Sequence, residues 1–341
     1  MSIKIYTIAE LKEWMCEGKD VGLNYNLLSN ARALGIIRNP YAKDTYPALA
    51  VVFDDQNKPV GFTAVLADEL KGERIFWGTT GFIDASMRGK GVGTLLYSSM
   101  MQACNNQWFA SDSTPAALKI SVKTGLGIYY YDRFYLSYEQ SSNLKSRLKA
   151  WLVKRANRKV LASLQPATRL EIVRYIDDKT YAFIQQHAEK NIFPRSQAIL
   201  NWILQSPFVA CAPADVALHT DYACTAILPQ YNIYAFRILK GDKLIGFAMF
   251  RINMGDLTLL YLYKDDAYAD EVYASLVKHV LNQRITRFRS FDKALIDFYD
   301  RVGALSMNTK SRIQQVSLSV PADVKIDSSQ ILQGGDGDMF C

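Results

Sequence analysis

The stretch Arg88-Gly89-Lys90-Gly91-Val92-Gly93-Thr94 decides how this 341-residue chain is read. It separates an apolar run with strand character, residues 75–84, from Leu95-Leu96-Tyr97-Ser98-Ser99-Met100-Met101, which has helical propensity and a largely apolar face. The first turn of a helix presents unpaired N–H groups and the positive end of its dipole. Glycines let the backbone approach a ligand closely and adopt positive φ, and Arg88 and Lys90 add positive charge. Together these features predict a phosphate or pyrophosphate site. A dinucleotide fingerprint needs Gly-x-Gly-x-x-Gly, and here the third glycine stands one position early. The triphosphate loop needs Gly-Lys followed by Ser or Thr after a four-residue spacer, which is absent. A glycine turn that holds nothing is the bland alternative.

Working outward from the loop, the pattern predicts a strand over 3–6 and a helix over 7–17 capped by Thr7. A second helix is predicted over 26–34, ended by Gly35. Residues 48–53 and 59–67 flank the turn Asp54-Asp55-Gln56-Asn57-Lys58 and read as a β-hairpin. Downstream, 118–122 reads as a strand and the aromatic run 127–136 as a helix. Residues 145–160 carry Lys145, Arg147, Lys149, Lys154, Arg155, Arg158 and Lys159 and no acid. With Leu148, Trp151 and Leu152 at i, i+3, i+4, this segment predicts an amphipathic connecting helix.

The second half echoes the first. Residues 242–248 echo 57–63 around a Gly-Phe pair, and 298–302 echo 130–134. Between each pair lie a strand, a helix and a strand, at 257–263, 269–282 and 284–291 in the second half. This order predicts a tandem duplication. The echo is unequal: residues 264–270 hold no glycine and three aspartates, which would repel a pyrophosphate.

Composition bounds the function. Hydrophobic residues make up 49% and charged residues 21%, as in globular proteins. No apolar run is long enough to span a membrane, the N-terminus lacks a signal-peptide core, and a cytoplasmic location is expected. The five cysteines are scattered without a Cys-x-x-Cys pair, as for reduced thiols. The three histidines are far apart, so no metal site is expected. The net charge of +7 equals the seven cations of 145–160, so a protein-wide basic surface for nucleic acid is not indicated.

The spacing Arg/Gln-x-x-Gly-x-Gly/Ala, met here by Arg88-Gly89-Lys90-Gly91-Val92-Gly93, resembles the coenzyme A loop of the GCN5-related N-acetyltransferase (GNAT) superfamily. The order of elements before and after the loop resembles that family too. The resemblance implies that Arg88, Gly89, Lys90, Gly91, Val92, Gly93 and Thr94 hold the CoA pyrophosphate. It implies that Phe82, Ile83 and Asp84 pair with the pantetheine arm through their main chain, and that the strand at 118–122 splays away to admit it. In the family a helix carries a Tyr, in the setting Tyr-x-x-x-Gly-Phe, that protonates the departing thiolate. Tyr131 takes that position, with Tyr135 and Leu136 replacing Gly and Phe, and Tyr130 is the alternative. Thr124 stands where an Asn of the cofactor site is usual. Glu73, Asp84 and Glu69 are candidate proton acceptors.

The expected fold is α/β (α+β), with two GNAT-like domains, each a mixed, mostly antiparallel twisted sheet flanked by helices. Residues 1–140 form the acyl-CoA-binding domain, 141–165 the basic linker helix, and 166–341 a degenerate domain without a phosphate loop. The expected activity is direct transfer of acetyl from acetyl-CoA to a primary amine on a small molecule or peptide. A non-catalytic acyl-CoA binder or scaffold, and a nucleic-acid-associated modifier, are the alternatives. Nucleic acid and membrane spans are not expected, and the basic helix allows weak peripheral membrane contact.

Overall fold

The computed structural model describes residues 1–17, 28–138, 142–205, 208–217, 227–308 and 312–337. The chain begins with β1 (Ser2–Thr7), α1 (Ile8–Glu17), α2 (Asn30–Ile37), β2 (Pro47–Phe53), β3 (Pro59–Leu70) and β4 (Glu73–Ile83). A 3-10 turn, Ala85–Met87, leads to α3 (Val92–Ala103), β5 (Trp108–Ser111), α4 (Pro115–Lys123) and β6 (Gly127–Ser137). The helix α5 (Leu144–Ser163) connects to β7 (Arg169–Val173), α6 (Asp178–Gln186) and α7 (Gln197–Gln205). After the short pair β8 (Ala210–Cys211) and β9 (Ile227–Leu228) come β10 (Tyr231–Lys240), β11 (Lys243–Asn253) and β12 (Asp256–Lys264). A second 3-10 turn, Asp266–Tyr268, precedes α8 (Ala269–Asn282), β13 (Arg287–Ser290), α9 (Lys293–Arg301) and β14 (Ile313–Val320).

Twelve of these strands form one sheet in the order β1-β2-β3-β4-β5-β14-β6-β13-β12-β11-β10-β7. All neighbours are antiparallel except β4 with β5 and β12 with β13. From β7 onward the element order repeats that from β1, so β3 matches β11, β4 matches β12, α3 matches α8 and β6 matches β14. The repeat is interleaved: β14 inserts between β5 and β6, and β6 in turn lies between β14 and β13. One face of the sheet carries a core that runs through both halves, from Leu11 and Trp77 to Phe193, Tyr261 and Leu332. The other face carries two separate cores, one under α3 and one under α8 and α9. β3 is covered on both faces, which is why it reads as an unbroken apolar run.

Four expectations are corrected. Residues 118–122 are not a strand but the middle of α4. Thr114 accepts from the Ala117 N–H and Pro115 opens the helix, and these start signals outweigh the β-branched run. Residues 127–136 are not a helix but β6. The aromatic run suits a half-buried pleated surface, and two flanking strands satisfy its backbone. Gly35 does not end α2. It lies inside the helix because the Phe208 ring packs where a Cβ would stand, 2.3 Å from that position; residues 26 and 27 lie outside the described residues. The echo of 130–134 in 298–302 joins unlike elements, a strand and a helix, whereas the echo of 57–63 in 242–248 falls on matching hairpins, β2–β3 and β10–β11.

Candidate acyl-CoA site

The site starts from a defect in the sheet. β4 pairs with β5 only at Phe76↔Trp108 and Trp77↔Phe109. Beyond that point the two strands diverge, leaving the main chain from Gly78 to Ile83 facing a slot. A bulge sharpens the divergence: Thr63 pairs with Gly81 and Ala64 with Thr79, so Thr80 is the extra residue, at φ 48°. Gly78 allows the slot to narrow to its apex, since a Cβ there would lie 2.1 Å from the Trp108 ring. Thr80 Oγ1 and Trp108 Nε1 are buried with no hydrogen-bond partner among the described residues. On the far side of β4, Arg32 donates to Thr79 Oγ1 at 3.1 Å.

The mouth of the slot is the glycine loop. Asp84 caps the 3-10 turn, accepting from the Ser86 N–H at 2.8 Å and the Ser86 hydroxyl at 2.6 Å; these bonds hold its carboxyl below the usual range. Gly89 (φ 77°) and Gly91 (φ 81°) take left-handed conformations, and Gly91 is the N-cap of α3 without a side-chain cap. The helical ladder begins with the Leu95 N–H donating to Gly91 O at 3.0 Å. The N–H groups of Val92, Gly93 and Thr94 therefore precede the ladder and point out of the helix start. Gly93 serves packing: its Cβ would meet Ile120 of α4 at 2.7 Å and Ile83 of β4 at 2.8 Å. The Arg88 guanidinium folds back on Ile83 O at 3.2 Å. The loop residues and Phe82 and Ile83 are thus gathered at one end of the slot.

The remaining candidates are dispersed. Glu73 begins β4 and Asp84 follows its end, so the two carboxylates stand at opposite ends of the strand, about 36 Å apart at 3.3 Å per residue. Glu69 pairs with Arg74 beside the same far turn as Glu73. Thr124 is the C-cap of α4, and its hydroxyl donates to Ile120 O and Ser121 O. The strand that splays is β5, not 118–122. The Tyr is on a strand: Tyr131 lies on β6, while α4 carries no tyrosine. Tyr130 and Tyr131 project from opposite faces of β6; Tyr130 is exposed, and Tyr131 packs against the continuous core. Burial first, then Tyr129 and Asp336, push the Tyr131 phenol up to about 12. Its face also carries Trp77, Phe109 and Val316.

The second half has the same defect with a different occupant. β12 pairs with β13 only from Asp256↔Arg287 to Thr258↔Arg289, then diverges past a bulge between Met249 and Phe250 of its other neighbour. Residues 333–335 of the same chain lie on the freed edge of β12, beside a cavity of about 540 Å³ lined by Leu259, Leu262, Gln333 and Gly334. The Gly335 N–H donates to Leu260 O at 2.9 Å and Tyr261 OH donates to Gly335 O at 2.6 Å. The Gln333 side-chain amide accepts from the Leu262 N–H at 3.1 Å and donates to Leu262 O at 3.2 Å. Close approach requires glycine: a Cβ on Gly334 would lie 2.3 Å from Leu259 O. Beyond the plug, Asp336 meets Arg195, which also pairs with Asp68 of β3; all three are buried. Burial drives the Asp336 carboxyl up to about 6 against the pull of Arg195. Gly337 then abuts Trp77 and Ser111 near the apex of the first slot.

The glycine loop of the first half has no counterpart here. Four residues, 88–91, separate the first 3-10 turn from α3, whereas α8 begins directly after Tyr268 with Asp270 and Glu271 in its first turn. Sequence reasoning saw the absent glycines and the aspartates. It missed the plug, whose signal, Gly334-Gly335-Asp336-Gly337, has no period or motif that names a partner. Among the described residues no cluster of three or more His, Cys, Asp or Glu could hold a metal ion. His219, Cys224 and Cys341 lie outside those residues.

No protein-family model matches the chain, and no curated protein matches it. Solved structures do match in fold. N-myristoyltransferase of Saccharomyces cerevisiae with bound myristoyl-CoA is 12% identical at a TM-score of 0.52, covering 94% of this chain and 78% of its own. A tandem GNAT protein from the clavulanic acid biosynthesis pathway is 11% identical at 0.51, covering 95% and 99%. A GCN5-related N-acetyltransferase from Anabaena variabilis is 15% identical at 0.50, covering 93% and 72%. The splayed parallel pair, the bulged β4, the loop at the start of α3 and these likenesses together show that the chain has the GNAT fold.

Proposed function

We propose that this chain is an acyl-CoA-dependent N-acyltransferase that transfers acetyl from acetyl-CoA to a primary amine. The observation that carries the reading is the slot between β4 and β5, opening at the uncapped start of α3. The diphosphate of CoA is an anion that suits the N–H groups of residues 92–94 and the charges of Arg88 and Lys90. The pantetheine arm is a chain of amides, and the edge of β4 offers unpaired main-chain groups. The second slot supports this assignment from within the molecule. There the equivalent edge of β12 already holds an extended, amide-bearing segment.

With the diphosphate at residues 88–94, the thioester lies toward the apex, near Trp77 and Phe109. The amine attacks the thioester carbonyl after losing its proton, a carbon–nitrogen bond forms, and the carbon–sulfur bond breaks. Tyr131, held protonated by burial, donates its proton to the leaving thiolate. The ammonium proton passes to water in the slot, because Glu73 is about 16 Å along the strand from Gly78, and the second proton, shed by the nitrogen as the amide forms, returns to the Tyr131 phenolate. A short acyl group is favoured: the cavity behind Trp77, lined by Asp68, Arg195 and Gly337, measures about 10 Å³, room for one water at most. Residues 1–140 supply the cofactor site, and residues 166–341 supply the wall that closes it from the far side, without binding CoA themselves. The absence of a tyrosine from α4 favours a second reading, a non-catalytic CoA binder.

Thiol release separates the two readings. Incubation with acetyl-CoA and a panel of primary amines should liberate free CoA with at least one amine. Stoichiometric binding of acetyl-CoA without release under any amine would leave only the binder.

A further inference from the structure

The twenty-residue helix α5 is seated by one face. Val153, Asn157 and Val160 are buried against the second half, and the Asn157 side chain exchanges two hydrogen bonds with the backbone of Leu305, at 3.0 and 2.8 Å. At 100° per residue the opposite face presents Leu144, Leu148, Trp151 and Leu152, with 80%, 59%, 53% and 51% of their surface open to solvent. Four large apolar side chains in one exposed stripe are unusual on a helix that already has its packing face.

The charges around the stripe identify what would cover it. The helix carries seven Lys and Arg residues and no acid. Lys145 falls along one flank of the stripe and Arg147, Lys154 and Arg158 along the other, while Arg155 and Lys159 continue the line of the stripe toward the C-terminal end of the helix. Arg155 lies over the Trp151 ring at 5.4 Å. Among the described residues no carboxylate pairs with any of the seven. An apolar line bordered by cations that pair with no carboxylate among the described residues, with a Trp in the line, matches an interface whose inside is hydrocarbon and whose rim is anionic. A nucleic acid phosphate backbone offers no hydrocarbon to cover Leu144, Leu148, Trp151 and Leu152, which fill that line over the first half of the helix.

We propose that α5 docks this protein onto anionic lipid surfaces, with Leu144, Leu148, Trp151 and Leu152 entering the headgroup region and the flanking cations meeting lipid phosphates and carboxylates. The helix lies along the surface: no helix among the described residues is long and apolar enough to cross a membrane. This surface is separate from the loop at 88–94, so it is independent of the acyltransferase reading.

The full chain should sediment with vesicles of phosphatidylcholine containing phosphatidylserine and not with phosphatidylcholine alone, and binding should weaken as salt rises. The variant Lys154→Gln/Arg155→Gln/Arg158→Gln/Lys159→Gln should bind anionic vesicles at least about tenfold more weakly, with acetyl-CoA affinity unchanged. Brominated lipid should quench the tryptophan fluorescence of the wild type, and the conservative variant Trp151→Phe should lose that quenching. Failure to bind anionic vesicles, unaltered binding by the four-charge variant, or quenching that survives Trp151→Phe would each overturn the proposal. So would preferential binding to duplex DNA or RNA lost in the same variant.

Discussion

Replacing Gly334 with alanine should expel the C-terminal plug from the second slot. The new Cβ would lie 2.3 Å from the carbonyl oxygen of Leu259, a backbone atom in the interior of β12 that cannot turn aside. The plug must lift, and with it go Gly335 N–H to Leu260 O, Tyr261 OH to Gly335 O, and both bonds between Gln333 and Leu262. At about 1 kcal/mol each, these contribute roughly 4 kcal/mol. That is a lower bound, because lifting the segment as far as Asp336 would also leave Arg195 and Asp68 without their third partner. For a chain of this size the loss corresponds to a fall of roughly 6 °C in the unfolding midpoint. Differential scanning calorimetry of the wild type and Gly334→Ala reads the shift directly, and limited proteolysis should cut the variant first near its C-terminus. A midpoint within a degree of wild type, with unchanged proteolysis, would refute the view that residues 332–337 are wedged against β12.

Three further outcomes follow from the same structure. The fragment 1–140 lacks β14, which lies between β5 and β6, so far-UV circular dichroism and thermal melts should show no cooperative fold, in contrast to the full chain. The contribution of His279 to stability should fall as pH drops from about 6.5 to about 4, because burial lowers its pKa to about 4 among Tyr234, Phe236 and Phe250, while buried Asp336, raised to about 6, acts in the opposite direction. For His279 the unfolded chain then binds the proton that the folded chain refuses; the difference amounts to roughly 3 kcal/mol, and the midpoint of the wild type should fall relative to that of His279→Phe as pH is lowered across that range. Tyr131→Phe should lower kcat about a hundredfold or more while leaving acetyl-CoA affinity unchanged, as expected of a proton donor; an equal loss of affinity would mark it as a packing residue.

What was legible in the sequence was local. The loop at 88–94 carries its signal in glycine spacing and charge, and the hairpin at β2–β3 and the helix α5 carry theirs in period and turn residues. The two misread elements lie just downstream. There β-branched residues in α4 and a run of aromatics in β6 give propensities that capping and strand pairing decide. Moving the Tyr-bearing segment from a helix to a strand changed the site, since alternation sends Tyr130 and Tyr131 to opposite faces. The interleaving of β6 and β14 rests on pairing between residues about 180 positions apart, such as Tyr131↔Val316, and no periodicity records such a partner. The plug is invisible for a similar reason: its glycines matter only because β12 passes within van der Waals distance.

The account stands on one molecule of CoA in the first slot. A crystal structure of the full chain with acetyl-CoA tests this most directly. It should show one CoA per chain, its diphosphate on the N–H groups of Val92, Gly93 and Thr94 and its pantetheine amides on the edge of β4 between Gly78 and Ile83. The edge of β12 should still be held by Gln333 and Gly335. CoA bound along β12 in place of residues 332–337, or CoA bound away from the loop at 88–94, would contradict it.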